Sequence, residues 1–201
     1  PAYDPDGNIV RNATYNVELI KRRYNAWHTY EEQALALGCV SHEKMAEVMN
    51  DLPDIEQRTD KADIGCGTGL LAKAWRRGDM VGYDVSIGQV EIARASGRYA
   101  RVSELDINEH PLPKKYDLIT ACDLFNLELA TAECLPNVAS SLKEGGLLIM
   151  TMPQHSGYHD EAGWPFQTSF ELVSETDEYV YCRGENSGSN KYHKVITWRK
   201  L

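Results

Sequence analysis

The stretch DKADIGCGTGLL, Asp60 to Leu71, restricts the fold more than any other. It places glycines at 65, 67 and 69, after an acidic residue and before an apolar run. Glycine adopts left-handed backbone at little cost and lets a ligand approach the chain closely, so a loop of this kind belongs at the end of a strand. The spacing then separates the ligands such loops serve. A dinucleotide fingerprint, G-x-G-x-x-G, needs its third glycine where this chain has Leu70. A phosphate loop needs Lys-Ser or Lys-Thr after the glycines, and neither follows. The remaining pattern is acid-x-Gly-x-Gly-x-Gly with Asp63 at the strand end. There a carboxylate can accept from a ligand ammonium while bare backbone from Gly65 through Cys66 and Gly67 to Gly69 lies alongside, which suits an amino-acid-bearing nucleoside without phosphates.

From Asp60 onward short strand patterns alternate with helical ones. Strands are expected at 62–64, 80–83, 100–105, 116–122 and 147–152, and helices at 70–76, 87–95, 130–142 and around 166–174. Two further strands, 178–182 and 194–198, flank a Gly/Ser/Asn-rich connector and read as a hairpin. Alternation of this kind implies right-handed crossovers. The expected architecture is therefore α/β, a Rossmann-like doubly wound, mostly parallel seven-stranded sheet with a C-terminal antiparallel hairpin. Ahead of it, apolar spacing predicts a helix over 15–37 and a second over 42–50, with Ser41 as its N-cap. At 201 residues the chain is expected to form one domain. The polar lead-in Thr59-Asp60-Lys61 departs from the apolar run expected of a strand buried on both faces.

Two more acids occupy strand ends. Asp84 in VGYDVS lies about twenty residues after Asp63, the position from which an acid in a doubly wound sheet bonds ribose hydroxyls. Asp106 in SELDIN can accept from an adenine amine, with Ile107 as apolar neighbour for the ring. Each alone is an ordinary turn or cap residue; in register with one glycine loop they converge on one sheet edge. A net charge of -9 argues against a sequence-independent grip on nucleic acid. Five scattered cysteines without a C-x-x-C pair suggest neither zinc nor a redox motif, no metal site is expected, and they fit a reducing, cytoplasmic setting. No apolar run approaches the length of a membrane span.

Taken in order, ADIGCGTG, VGYDVS, SELDIN, YDLITACDLFN and LKEGGLLIM resemble the successive motifs of class I S-adenosylmethionine-dependent methyltransferases. The resemblance implies that Asp63 and Gly65 to Gly69 hold the methionine part, Asp84 with Val85 the ribose, and Asp106 with Ile107 the adenine, with Cys122 near the cofactor. YNAWHTYEEQALALGC, Tyr24 to Cys39, is similar to the small methyltransferases named after the Williams-Beuren syndrome chromosomal region. That likeness makes residues 1–52 a helical lid, with Tyr24 and Trp27 over the cofactor and Tyr30 toward the substrate; the same aromatics also suit the core face of a helix.

The implied cofactor is S-adenosylmethionine, with S-adenosylhomocysteine as product, and the implied partner a small-molecule acceptor of a monomeric or homodimeric enzyme. Methyl transfer is an in-line displacement that needs a base only if the nucleophile must lose a proton. The substrate segment MPQHSGYHDEAGWPF offers His155 as base, His159 with Asp160 as a second candidate, and Trp164 and Phe166 as an apolar wall. Asp123, Asn126 and Glu128 form an alternative polar set. The histidines put O-methylation ahead of N-methylation. No Asn-Pro-Pro-Tyr or Asp-Pro-Pro-Tyr follows the fourth strand, where amino-methylating nucleic-acid enzymes carry it. The alternative is a non-catalytic S-adenosylmethionine-binding protein or partner-activating subunit.

Overall fold

A computed structural model describes residues 2–3, 9–10, 16–125, 129, 134–153, 169–183 and 190–201. At the N-terminus, β1 (Ala2–Tyr3) and β2 (Ile9–Val10) pair antiparallel. The main sheet is built on β3 (Lys61–Ile64), β4 (Met80–Asp84), β5 (Arg101–Glu104), β6 (Tyr116–Ala121) and β7 (Leu142–Pro153), which run parallel in the order β5-β4-β3-β6-β7. Beyond β7 lies the antiparallel β10 (Asn190–Lys200). Its outer edge is shared by β8 (Phe170–Glu175) and β9 (Tyr179–Arg183).

Successive residues of a strand face opposite sides of the sheet, and both sides here are covered. Along β7, Leu148, Met150 and Met152 join the cluster that holds Phe125, Leu135 and Val138. Leu147 and Ile149 join Met45, Met49, Leu71, Trp75 and Val90 on the other side. That second layer is made by α3 (Ser41–Asn50), α4 (Leu70–Trp75) and α5 (Ile87–Ala95), the first by α6 (Leu135–Ser140). Asp63 stands opposite Gly82 and Thr120 in the register. All five parallel strands thus end at the same edge, and their following turns crowd together there.

Four local expectations need correction. The helix expected around 166–174 is a strand from Phe170 onward. Its Phe, Leu and Val suit either state, and the open hydrogen-bonding edge of β10 decides for strand. β8 and β9 fill one row beside β10, so eight strands make seven rows. The single helix over 15–37 is two, α1 (Val17–Asn25) and α2 (Tyr30–Ala36). The break is stabilised from outside: Gln89 Nε2 donates to the Tyr24 and Trp27 carbonyls at 2.8 and 3.1 Å, and Asn25 Oδ1 accepts from Ser86 Oγ and the Gly88 N–H. Ser41 is the first residue of α3 rather than its cap, and its hydroxyl accepts from Tyr179 at 3.0 Å. The expected helix at 130–142 is α6 within the described residues.

The polar lead-in has a physical account. Lys61 is only 5% exposed, and its ammonium bonds Asp79 Oδ2 at 2.8 Å; the other oxygen of Asp79 takes the Trp75 indole N–H at 2.8 Å. Asp60 stays at the rim, paired with Lys114 and Lys143, and its N–H donates to Asp117 at 2.9 Å. Lys61 is buried and Asp79 lies at the surface, so removing Asp79 leaves a buried charge without its partner, whereas an apolar chain at 61 leaves only a solvated carboxylate. Asp79→Ala is therefore expected to destabilise by about 3 kcal/mol, and Lys61→Met by less than about 1 kcal/mol, in urea unfolding.

Candidate functional site

The glycine loop leaves β3 with Gly65 at φ 65°, where an added Cβ would sit 2.7 Å from Leu124 Cδ1. Asp84 clasps the loop: Oδ2 accepts the Gly67 N–H and Oδ1 the Ser86 N–H, both at 2.8 Å. Gly69, at φ 94°, is the N-cap of α4, and its Cβ would meet the Tyr99 ring at 3.0 Å. Its place is against Tyr99, outside the cleft.

A cleft of about 240 Å³ opens between this loop, the ends of β4 to β6, and the N-terminal helices. On the sheet side it is lined by Gly65, Gly67, Asp84, Val85, Asp106 and Ile107. Cys122, Asp123 and Leu124 border it after β6, and Tyr24, Trp27 and Tyr30 face them from the N-terminal segment. The three rings pack on one another with centroids 5.1–6.1 Å apart. Of the two expectations for these aromatics, cleft wall and helix core face, the cleft is where they sit. Burial raises the carboxyl of Asp84 above its usual range, against the lowering pull of the Ser86 and Gly67 amides. Asp106 accepts the Asn108 N–H at 3.0 Å. Burial pushes the Cys122 thiol well up, so it is no thiolate at neutral pH.

Asp63 and Cys66 lie beneath the loop and line a smaller adjoining recess of about 50 Å³, together with His42 and Thr68. Asp63 is 1% exposed, with Oδ2 accepting from Tyr99 at 2.5 Å and Oδ1 from Thr120 at 2.7 Å. Burial lifts its carboxyl to about 6 despite these two hydroxyl donors. The sequence marked Asp63 as a ligand contact; the fold buries it outside the main cleft, as the anchor that ties β3 to β6 and to Tyr99.

The N-terminal segment is fastened over the cleft at a second place. Glu31 pairs with Arg98 at 2.8 Å and Lys73 at 2.7 Å, and the hydrogen bonds from Arg98 hold its carboxyl down at about 2. Three residues that the sequence left unmarked also belong here. Tyr181 lines both cavities, His193 stacks on Tyr181 with centroids 4.0 Å apart, and His42 lines the recess. Their only signal was membership of the expected hairpin and second helix; which side chains turn inward depends on the pairing of β9 with β10. His155, His159, Trp164 and Phe166, with Asn126, Glu128 and Asp160, lie outside the described residues.

Residues 62–146 match the family model described as a methyltransferase domain. Malonyl-[acyl-carrier protein] O-methyltransferase of Acetivibrio thermocellus is 28% identical over 144 residues, which cover 68% of this chain and 50% of that protein. Ubiquinone biosynthesis O-methyltransferase of a Bradyrhizobium species is 25% identical over 203 residues, 97% of this chain and 69% of that one. Among solved structures the [4+2]-cyclase SpnF superposes with a TM-score of 0.70 at 16% identity, covering 94% of this chain and 97% of that chain; the likeness is one of fold. The chain spans about half the length of the first of these curated relatives. The strand order and the clasped glycine loop accompany that methyltransferase-domain match over residues 62–146. No helix of the described residues is long and apolar enough to cross a membrane.

The Asp63 environment predicts a pH signature. Its folded carboxyl, at about 6, lies above the ordinary value of 3.8, so the folded state holds the proton more tightly. The stability this contributes is fully present below pH about 4 and is lost as pH rises through about 6. Asp63→Asn is expected to flatten the wild-type fall in unfolding free energy across that window, as measured by urea titration at stepped pH.

Proposed function

We propose that the protein transfers the methyl group of S-adenosylmethionine to a small-molecule acceptor, with oxygen favoured over nitrogen as the methylated atom. The observation that carries this reading is the convergence of Asp84, Asp106 and the glycine loop on one cleft at the carboxyl edge of the parallel sheet. In this reading Asp84 and Val85 take the ribose, Asp106 and Ile107 the adenine, and Gly65 to Gly67 with the recess around Asp63 the methionine end. Tyr24 and Trp27 cover the cofactor, and Tyr30 and Asp123 face the acceptor. Two relatives carrying the name O-methyltransferase support oxygen as acceptor atom. The fastening of Tyr24 to Ala36 over the cleft supports a lid, and its Tyr-x-x-Trp-x-x-Tyr-Glu order supports kinship with the Williams-Beuren region methyltransferases.

The chemistry asks little of the protein beyond placement. A sulfonium methyl is already activated, so holding the acceptor in line behind it in a water-poor cleft supplies much of the rate. A base then sets the fraction of acceptor that is deprotonated, and His155, with His159 second, is proposed for that task.

Calorimetric titration with S-adenosylhomocysteine is expected to give one-to-one binding. Asp84→Ala should weaken it at least about thirtyfold, from the loss of hydrogen bonds to a charged group. Unchanged binding in that variant would sink the reading. Incubation with labelled cofactor and a metabolite library distinguishes an enzyme from a binding protein: label is expected on a small molecule with the pure chain alone. On that acceptor His155→Ala should lower kcat by about a hundredfold while leaving cofactor affinity within a factor of about two. An unchanged pH-rate profile would remove His155 from the role.

A further inference from the structure

The acceptor side of the cleft has a charge character. Among the described residues lining the cleft and its recess, the carboxylates are Asp63, Asp84, Asp106 and Asp123, and none is Lys or Arg. The cations nearest the recess, Lys73 and Arg98, are taken up by Glu31. His42 in the recess has its protonated form disfavoured by burial, so it adds no charge at neutral pH. An anionic acceptor would meet no counter-charge from any of these groups and would lose its hydration on entry.

Asp123 stands apart from the other acids. It follows β6 with φ at 55°, a left-handed conformation that costs a non-glycine residue energy and persists only where neighbours enforce it. The enforcement is visible. The Asp123 N–H donates to Thr151 Oγ at 2.7 Å, and Thr151 Oγ donates back to Asp123 Oδ1 at 3.0 Å. His193, 7% exposed, places Nδ1 3.2 Å from the same oxygen, while no well-aligned hydrogen bond satisfies that nitrogen. The His193 ring is fixed by its stack on Tyr181. Among the described residues, no hydrogen bond reaches Asp123 Oδ2. Tyr30 and Tyr181 border both cavities beside Asp123. A carboxylate that borders the same cavities as two tyrosine rings suits an organic cation, which gains from charge and from aromatic contact together.

We propose that this side of the cleft receives an acceptor bearing a protonated amine, with Asp123 as its counter-charge, Tyr30 and Tyr181 as its walls, and His193 as the residue that positions Asp123. The proposal rests on the methyltransferase reading and names the acceptor class for the same site. It favours an amine over a carboxylate as the acceptor's charged group, since a carboxylate would need a cation and none of the described lining residues is Lys or Arg.

The test uses the full chain and two kinds of probe. Sinefungin, in which an amine-bearing carbon replaces the methylated sulfur of the cofactor, presents a cation where methyl and acceptor meet; S-adenosylhomocysteine is uncharged there. Wild type is expected to bind sinefungin about tenfold more tightly, and Asp123→Asn should bring the two within about twofold while leaving S-adenosylhomocysteine affinity unchanged. His193→Phe, which keeps the stack on Tyr181, should narrow the preference, and His193→Asn, which restores a nitrogen, should recover it.

With the chain saturated in S-adenosylhomocysteine, phenethylamine is then compared with phenylacetate. The amine is expected to bind about tenfold more tightly, a margin that Asp123→Asn erases. Equal or better binding of the carboxylate, or no preference between the two, overturns the proposal. A sinefungin preference without an amine preference would also overturn it, by assigning Asp123 to the cofactor's sulfonium. Failure of S-adenosylhomocysteine itself to bind would instead overturn the methyltransferase reading, and so is told apart.

Discussion

Two hydrogen bonds from one carboxylate organise the site: Asp84 accepts the Gly67 N–H with one oxygen and the Ser86 N–H with the other. The first draws the glycine loop onto the end of β4. The second sets the start of α5, where Ser86 Oγ caps the Gln89 N–H and donates to Asn25. Gln89, buried on that first turn, reaches the Tyr24 and Trp27 carbonyls. One strand-end acid therefore joins the loop, the first turn of a sheet-packed helix and the segment that covers the cleft. Hydrogen bonds to a carboxylate are stronger than neutral ones, and partial burial strengthens them further.

The site is built from acids and rings. Asp63 is buried with only hydroxyl donors, and burial leaves its proton held more tightly than usual. Lys73 and Arg98 are taken up by Glu31, which pins α2 to the body of the domain, and Lys21 by Glu104. The result is a cavity whose local charge is negative while its covering segment is held by charge pairs at the rim. Such a cavity fits the proposed sulfonium cofactor better than it would fit a neutral thioether product.

Much of the fold was legible because its signals are local and periodic. The strands β4, β6 and β7 are mostly apolar runs with turn residues at their ends, as buried parallel strands tend to read, while β3, KADI, was marked by the glycine loop that follows it. The glycine loop was legible because left-handed backbone narrows the choice of residue. FELVSE was misread as helix because short apolar stretches suit either state, and its paired residues in β10 lie 21 to 30 positions away in sequence. The break after Asn25 was missed for a similar reason: the groups that stabilise it, Ser86 and Gln89, belong to another helix.

The sequence by itself determined the fold class, the order of strands and helices from β3 to β7 and the positions of the strand-end acids, because these follow from periodicity and from residues with restricted conformations. Tertiary structure alone decided which side chains meet. It turned Asp63 inward to Tyr99 and Thr120, brought Glu31 to Arg98 across 67 positions, and set His193 beside Asp123 across strands that are distant in the chain. Those contacts depend on sheet order and on the face each residue presents, and neither is encoded within reach of any local pattern.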